Sequence, residues 1–299
     1  MAEKLSAFKN DRARAEYMRA YETLERRWPI PAATVDIATS FGSTHVRHSG
    51  SGTETPLVLL HSFGANSLYW GFLIEELCGD RVVYMPEMVG AAGRSVQTAP
   101  MRETDFAIWF DEVLDALGLD RVHVVGYSHG AWHAVAAALH GAKRLESMTL
   151  VEPGGVFDKP TWGVLLKMIR FGMRKKTDEN MRALAAWMTP GLDPTPEEFA
   201  LGKAALATFH MRIGWARLLK DAELQTITVP TLAIFGGDSV VSRGPLAAAR
   251  RVTDHMPDAE TEVYPGTGHA IFDQIPEEIV RRILTFVRQR DAARIRDLG

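Results

Sequence analysis

A serine framed by two glycines is the group in this sequence best suited to do chemistry. The pentapeptide Gly-Tyr-Ser-His-Gly at residues 126–130 follows a largely apolar run at 122–125 and precedes an alanine-rich stretch at 131–139. Glycines on both sides of Ser128 permit a sharp turn from a strand into a helix, because no Cβ atoms clash there. Such a turn strains the serine backbone and presents the hydroxyl above the sheet. Ser128 is therefore the candidate nucleophile.

A serine hydroxyl is a weak nucleophile unless a base takes its proton, and the chain has ten histidines. His269 is the candidate base. It follows a strand-like segment at 260–264 and a turn at 265–268, and it precedes a helix start at 276–278. A loop beyond the last strand can deliver this ring to the serine. The other histidines considered lie on a predicted hairpin or on predicted helices, where a structural role is the better interpretation: His45, His48, His140, His210 and His255.

A third requirement is a pair of hydrogen-bond donors for the oxyanion that forms when the serine attacks a carbonyl carbon. The backbone N–H of His129, the residue after the nucleophile, is one candidate. The other is the N–H of Phe63, in the His-Ser-Phe-Gly turn that follows a buried strand at 57–60. Each donor of this kind contributes about 2.7–4 kcal/mol at the transition state.

The elements that must position these groups alternate between strands and helices. An amphipathic helix is predicted over residues 5–28 and a hairpin over 35–47, followed by strands near residues 57, 82, 122, 147, 230 and 260. This alternation indicates an α/β fold with a parallel sheet and right-handed crossovers. It stops between 154 and 228, where helices are predicted at 164–171, 180–188 and 197–219. The many aromatic and methionine side chains there are expected mostly to form the core of that segment, with some lining an apolar pocket.

Taken together, these motifs resemble the α/β-hydrolases of the esterase and C–C hydrolase type over nearly the whole chain. The resemblance rests on residues 57–64, 82–95, 126–130, 229–238 and 265–270. The entry helix and hairpin are similar to those of bacterial carboxylesterases that cleave aryl-propionate esters. The resemblance implies an α/β-hydrolase fold, a mostly parallel twisted sheet flanked by helices, with residues 1–153 and 229–299 as the core and 154–228 as a helical cap. It also implies the chain order serine, acid, histidine.

Two carboxylates compete for the role of the acid that orients His269. In the family this acid stands three residues after the glycine that ends its strand, and here that place holds Ser239. We expect Asp238, one residue earlier in the same loop, to be the acid. Glu152, directly after the strand at 148–151, is the alternative, because some hydrolases of this fold carry the acid there. A second departure is Ser62, which stands where the family usually has glycine.

The three groups and the resemblance predict a serine hydrolase. A carboxylesterase that cleaves small to medium apolar or aryl esters through an acyl-enzyme is the preferred interpretation, and this chemistry requires no cofactor. C–C bond hydrolases, lactonases and cofactor-free perhydrolases use the same groups, so they stay as alternatives. The alternative from another class is a binding protein without turnover on the same scaffold.

Composition limits the partners. The net charge is −3 and the pI is about 6.4, so the chain has no overall positive electrostatic field that would attract nucleic acid. The single cysteine, Cys78, excludes an intramolecular disulfide and a thiolate metal site. Because no signal-like start and no apolar run of about 18 residues occur, we expect a cytoplasmic protein with no membrane partner, either monomeric or a homodimer. The basic cluster at 170–176 is expected to be a solvated helix end, with a membrane-surface role as the alternative.

Overall fold

Strands and helices alternate along most of the chain. A computed structural model describes residues 4–141, 143–159, 162–174, 177–188 and 193–298. The elements up to and including the helix that follows Ser128 are β1 (Ala7–Phe8), α1 (Asp11–Glu25), β2 (Ala32–Thr39), β3 (Gly42–Ser49), β4 (Leu57–Leu60), a 3-10 helix (Ser67–Phe72), α2 (Ile74–Leu77), β5 (Val83–Pro86), β6 (Val96–Gln97), α3 (Asp105–Leu117), β7 (Val122–Tyr127) and α4 (His129–Leu139). The elements after it are β8 (Leu145–Val151), α5 (Trp162–Met173), α6 (Asp178–Met188), α7 (Pro196–Thr208), β9 (Phe209–His210), α8 (Asp221–Leu224), β10 (Thr231–Gly236), α9 (Pro245–His255), β11 (Ala259–Tyr264), α10 (Ile271–Gln274) and α11 (Pro276–Leu298).

The central sheet has the strand order β11-β10-β8-β7-β4-β5-β3-β2. The strands from β11 to β5 are parallel, whereas β3 runs antiparallel to both β5 and β2. The six predicted strands and the N-terminal hairpin are all present, so the predicted α/β class is confirmed. Because parallel strands end at the same edge of a sheet, β7, β8 and β10 deliver the residues that follow them to one place.

Apolar side chains of β4 face opposite sides of the sheet in alternation, as a strand requires. Val58 and Leu60 belong to a core formed with α3, α4 and α9, whereas Leu57 and Leu59 belong to a core formed with the 3-10 helix, α2 and α11. All four side chains are at most 1% exposed. Helices therefore cover both faces, and the strand ends are held rigidly between two cores.

The N-terminal helix is shorter than the sequence predicts. It begins at Asp11, where the Asn10 side chain accepts a hydrogen bond from the Ala13 N–H and caps the helix. The residues before it form β1, which pairs antiparallel with β9. Helix α1 packs on α7 through a third apolar cluster that includes Tyr17 and Leu201. This pairing with a distant strand leaves no signal in local periodicity.

The segment between β8 and β10 also differs from its prediction in two respects. The helix predicted over 197–219 ends at Thr208, because the next two residues pair with β1 and residues 211–220 follow without helix. Trp162 and Met173 are each 78% exposed, although most aromatic and methionine side chains of this segment are expected to form its core. Within the described ranges, no helix combines the length and the apolar character needed to cross a membrane.

Candidate active site

Ser128 occupies the turn between β7 and α4 in a strained backbone conformation. Its φ is 54° and its ψ is −112°, values that residues with a Cβ rarely adopt. A Cβ on Gly126 would lie 2.5 Å from the Gly130 carbonyl oxygen, and one on Gly130 would overlap the Leu60 carbonyl. Both flanking glycines are therefore required by close backbone approach. The Ser128 N–H donates to the Val151 carbonyl at 2.9 Å, which ties the turn to β8.

The carboxylate at His269 belongs to Glu152. The Nδ1 atom of His269 lies 3.0 Å from Glu152 Oε2, in a contact where Glu152 is 2% and His269 8% exposed. The same carboxylate accepts hydrogen bonds from the Ser239 hydroxyl and from the Gly236 N–H. A carboxylate only accepts, so Nδ1 carries the proton and Nε2 is left free to act as a base. Glu152 also has a positive φ of 52°.

The expectation that Asp238 contacts the imidazole is wrong in this geometry. Its backbone N–H donates to the Thr267 carbonyl at 2.8 Å, and its side chain is exposed at a cavity that Lys167 also lines. The residue after it, Ser239, is buried and reaches the Glu152 carboxylate instead. The position where the family's acid is expected therefore holds a serine that supports an acid on the neighbouring strand. Sequence reasoning noted Ser239 at that position and missed this role.

Tyr127 links the nucleophile turn to the histidine loop. Its hydroxyl donates to the His269 carbonyl oxygen at 2.7 Å, and the two rings stack with centroids 5.5 Å apart. Tyr127 directly precedes Ser128, so one buried side chain holds both loops. Among the described residues, the Ser128 hydroxyl forms no hydrogen bond with His269, a contact that in unliganded hydrolases is often long and shortens with substrate. The sequence gives no signal for this role of the tyrosine.

The two candidate oxyanion donors lie next to each other. The rings of Phe63 and His129 meet edge to face with centroids 5.5 Å apart. In the described part of the chain, neither backbone N–H donates to a protein acceptor. For His129 the reason is its place in the first turn of α4, where N–H groups have no partner within the helix. Both N–H groups are thus available to an external oxygen.

Ser62 fits the turn after β4 without strain. The positive φ of this turn, 75°, falls on Gly64, and Ser62 has an ordinary backbone conformation. The Ser62 carbonyl accepts from His61 Nδ1 at 2.9 Å and from the Ala65 N–H at 3.2 Å. The departure from glycine at this position is therefore tolerated, because the left-handed residue of the turn lies two positions later.

Two consecutive residues of the segment between β8 and β10 contact both oxyanion candidates. His129 Nε2 donates to the Gly214 carbonyl at 2.8 Å, and the Trp215 ring stacks on Phe63 with centroids 4.8 Å apart. Phe63 is 40% and Trp215 70% exposed, so the stacked rings form an open aromatic wall. This part of the predicted cap therefore lies directly beside the nucleophile turn.

Three buried histidines lie around the turn that follows β4. His61 Nε2 accepts from the Met88 N–H at 3.1 Å, the His133 ring contacts the Met88 sulfur, and the His129 and His133 rings lie 4.4 Å apart. Burial lowers the pKa of all three, that of His129 to about 4, and their mutual repulsion lowers the pKa of His129 and His133 further. They are neutral near pH 7, so they add no positive charge beside the candidate oxyanion donors.

A family model and several known proteins match this chain. A model of the alpha/beta hydrolase family matches residues 57–282, which include every group placed at the site above. The chain belongs to the alpha/beta hydrolase family. The strained serine at the end of β7 and the histidine after β11 lie where this hydrolase fold is expected to carry them.

Relatives of this hydrolase include bacterial carboxylesterases. An uncharacterized carboxylesterase of Bacillus subtilis (strain 168), named nap, is 26% identical over 289 residues, which cover 90% of this chain and 91% of that protein. The carboxylesterase YbfK of the same strain is 25% identical over 280 residues, which cover 91% and 93%. The crystal structure of naproxen esterase from Bacillus subtilis superposes with a TM-score of 0.85 at 24% identity and covers 93% of this chain and 99% of that one. The expected resemblance is confirmed.

Apart from the candidate site, the hydrolase contains a buried serine-histidine-aspartate arrangement. Ser147 Oγ lies 2.7 Å from His123 Nδ1, and His123 Nε2 lies 3.1 Å from Asp291 Oδ1. Ser147 and His123 are fully buried near the starts of β8 and β7, away from the edge that carries Ser128. No substrate carbonyl can reach this serine, so the arrangement is structural. It makes Ser147 a useful internal control for the nucleophile.

The buried histidines predict a specific dependence of stability on pH. In the unfolded chain His129 titrates near about 6.5, whereas in the folded hydrolase burial lowers its pKa to about 4. Between these values the unfolded state binds more protons, so the free energy of unfolding falls as pH falls. We expect His129→Gln to reduce this slope between pH 6 and 5 by about 1 kcal/mol per pH unit.

Urea unfolding of the wild type and His129→Gln at several pH values measures this slope. His210→Gln is the matched control, because His210 is exposed. Identical slopes in the wild type and His129→Gln would contradict the assignment of a neutral buried histidine at this position.

Proposed function

We propose that this alpha/beta hydrolase is a serine carboxylesterase that cleaves small to medium apolar or aryl esters through an acyl-enzyme intermediate. The observation that carries the proposal is the hydrogen bond between His269 Nδ1 and the buried Glu152, at the same sheet edge as the strained Ser128. Two N–H groups beside the serine, which donate to no acceptor in the described ranges, complete the set that acyl transfer needs. The carboxylesterase relatives support an ester hydrolase over a binding protein without turnover.

In the first half of the reaction, Ser128 Oγ attacks the ester carbonyl carbon while His269 Nε2 takes the hydroxyl proton. Glu152 holds the Nδ1–H tautomer and stabilises the imidazolium that forms. The carbonyl oxygen becomes an oxyanion and accepts hydrogen bonds from the N–H groups of Phe63 and His129. The tetrahedral intermediate collapses, His269 returns the proton to the leaving alkoxide, and the alcohol departs.

In the second half, water attacks the acyl-serine ester. His269 Nε2 takes a proton from this water, and the same two N–H groups hold the second oxyanion. When the intermediate collapses, the Ser128 oxygen leaves and receives the proton from His269. The carboxylic acid is released and the enzyme returns to its starting state. Every step uses side chains and backbone groups of this chain.

A panel of p-nitrophenyl esters with acyl chains of increasing length tests the proposal. A carboxylesterase releases p-nitrophenolate continuously, with the highest kcat/KM for apolar chains that fill the pocket. A receptor on the same scaffold would bind the longer esters without turnover. Binding without release on every ester of the panel would therefore refute the proposed function.

Trp215 is expected to set part of the acyl preference. Its indole forms an open wall with Phe63 beside the oxyanion donors, so an apolar acyl group bound there loses contact area in Trp215→Ala. We expect the ratio of kcat/KM for p-nitrophenyl octanoate over acetate to fall about 3- to 10-fold, which corresponds to the energy of an aromatic contact.

Trp162→Ala is the matched control for this prediction, because Trp162 is also an exposed indole of the segment between β8 and β10. It should leave the ratio of the two esters unchanged. Equal ratios in the wild type and Trp215→Ala would exclude Trp215 from the acyl site without touching the assignment of the nucleophile.

A further inference from the structure

Helix α5 presents an uncovered apolar stripe. Trp162, Leu166, Ile169 and Met173 follow one another at intervals of four, three and four residues, so they lie on one face of the helix. These side chains are 78%, 64%, 50% and 78% exposed, respectively. No other described helix exposes four large apolar side chains in one row. Such a face normally lies against another surface.

The charged residues in and around α5 are all basic. Residues 159–176 contain six basic and no acidic residues, in a chain whose net charge is −3. The basic residues of α5 and of the position after it are exposed: Lys167, Arg170 and Arg174. The Lys167 ammonium also lies 4.4 Å from the centroid of the Trp187 ring, so Arg170 and Arg174 form the outer part of this cationic flank. At 100° per residue they fall together on one flank of the apolar stripe. The helix thus combines an apolar face with a purely cationic flank.

The opposite face of α5 is turned toward the protein. Val164 and Phe171 are half-buried, and Val164 lines a cavity of about 610 Å³ together with Asp238 and Ser239. Ser239 is the residue that donates to the Glu152 carboxylate. The stripe therefore lies on the outside of a helix whose inner face borders a cavity that Ser239 also lines.

We propose that α5 docks on the surface of an anionic lipid bilayer. The stripe inserts among the outer acyl segments and the cationic flank lies against the lipid phosphates. An apolar face with Trp and Leu beside a polar face rich in Lys and Arg is typical of helices that lie in the membrane interface. Two copies packed stripe to stripe in the antiparallel orientation would bring their cationic flanks close together, which disfavours that dimer. Peripheral docking of this kind needs no spanning helix.

Flotation of the full chain with lipid vesicles tests the proposal independently of any activity. We expect binding to phosphatidylcholine vesicles that contain about a third phosphatidylglycerol, and much weaker binding to phosphatidylcholine alone. Ile169→Glu should lower the bound fraction at least about tenfold, because it places a charge in the apolar face. Arg170→Gln should lower binding about fivefold, the contribution of one basic residue near an anionic surface.

Ile108→Glu is the matched control, since Ile108 on α3 is 51% exposed and Ile169 is 50% exposed. This control should float like the wild type. A circular dichroism spectrum and a melting temperature equal to those of the wild type show that Ile169→Glu is folded. Absence of wild-type binding, equal binding to both vesicle types, or equal loss in Ile108→Glu would overturn the proposal. So would a wild-type dimer that Ile169→Glu separates, since the occupant of the stripe would then be a second copy.

Discussion

Replacing Ser128 with alanine is expected to lower kcat for p-nitrophenyl butyrate on the order of 10⁶-fold, the loss seen when the nucleophile of a serine protease is removed. The same change should abolish covalent labelling by a fluorophosphonate, which requires an activated serine. The physical reason is that Ser128 has a strained backbone and a partly accessible side chain, with the candidate oxyanion donors and the candidate base at the same sheet edge. Initial rates and in-gel fluorescence measure the two effects.

Ser147→Ala is the matched control for this experiment. Ser147 is hydrogen-bonded to a histidine that contacts an aspartate, yet it is fully buried and a substrate cannot reach it. Labelling and turnover should therefore persist in this variant, with circular dichroism confirming that both variants are folded. Labelling that persists in Ser128→Ala would remove the nucleophile assignment and with it the proposed reaction.

Glu152→Gln is expected to lower kcat on the order of 10⁴-fold with little change in KM, as seen when the orienting acid of a serine protease becomes an amide. The Glu152 carboxylate accepts from three donors: Gly236 N–H on Oε1, and Ser239 O–H and His269 Nδ1–H on Oε2. The backbone N–H cannot reverse, so the glutamine carbonyl must face it. The amide NH₂ then faces Ser239 and His269.

This rearrangement changes the tautomer of the base. The Ser239 hydroxyl can rotate and accept from the amide, but the imidazole can accept only through an unprotonated Nδ1. Its proton then resides on Nε2, which can no longer take the proton of Ser128. Substrate still binds, because no contact to the pocket is lost, and the effect therefore appears in kcat.

Asp238→Asn is the control for Glu152→Gln. Asp238 is exposed and its side chain makes no contact with the imidazole among the described residues, so kcat should stay within about twofold of the wild type. Steady-state kinetics of the two variants at a single pH above neutrality rank the carboxylates. The reverse ranking would assign the orienting role to Asp238 and leave Glu152 as a structural buried carboxylate.

The choice between these carboxylates shows where sequence reasoning stops. Strands β8 and β10 are adjacent, with Val151 paired to Ile234, so residues after both strands reach the same edge of the sheet. Periodicity predicts the strands and therefore both candidates. The decision depends on the turn after β10, where backbone bonds to the β11 loop leave Asp238 exposed and Ser239 buried. A difference of one residue in a loop is not encoded in hydrophobic pattern.

Sequence patterns predicted correctly those elements that depend only on neighbouring residues in the chain. The serine turn, the six strands and the position of His269 after the last strand were all predicted, because glycines, β-branched runs and turn residues report on their own neighbourhood. The errors lie where distant segments meet. The predicted N-terminal helix is shortened because its first residues pair with β9, and α7 ends where the same pairing begins. The exposed stripe of α5 has the pattern of a core helix, and only the folded chain shows which side it faces.

Two non-glycine residues of the described chain adopt a positive φ, and they are Ser128 and Glu152. Each such conformation costs on the order of 1–3 kcal/mol, so the fold sacrifices stability at the two strand ends where chemistry is proposed. Selection for heat resistance alone would favour glycine at both positions and would yield a more stable but inactive protein. Engineering for thermal tolerance should therefore keep these two turns unchanged and seek its gains in surface loops and helix caps remote from the sheet edge.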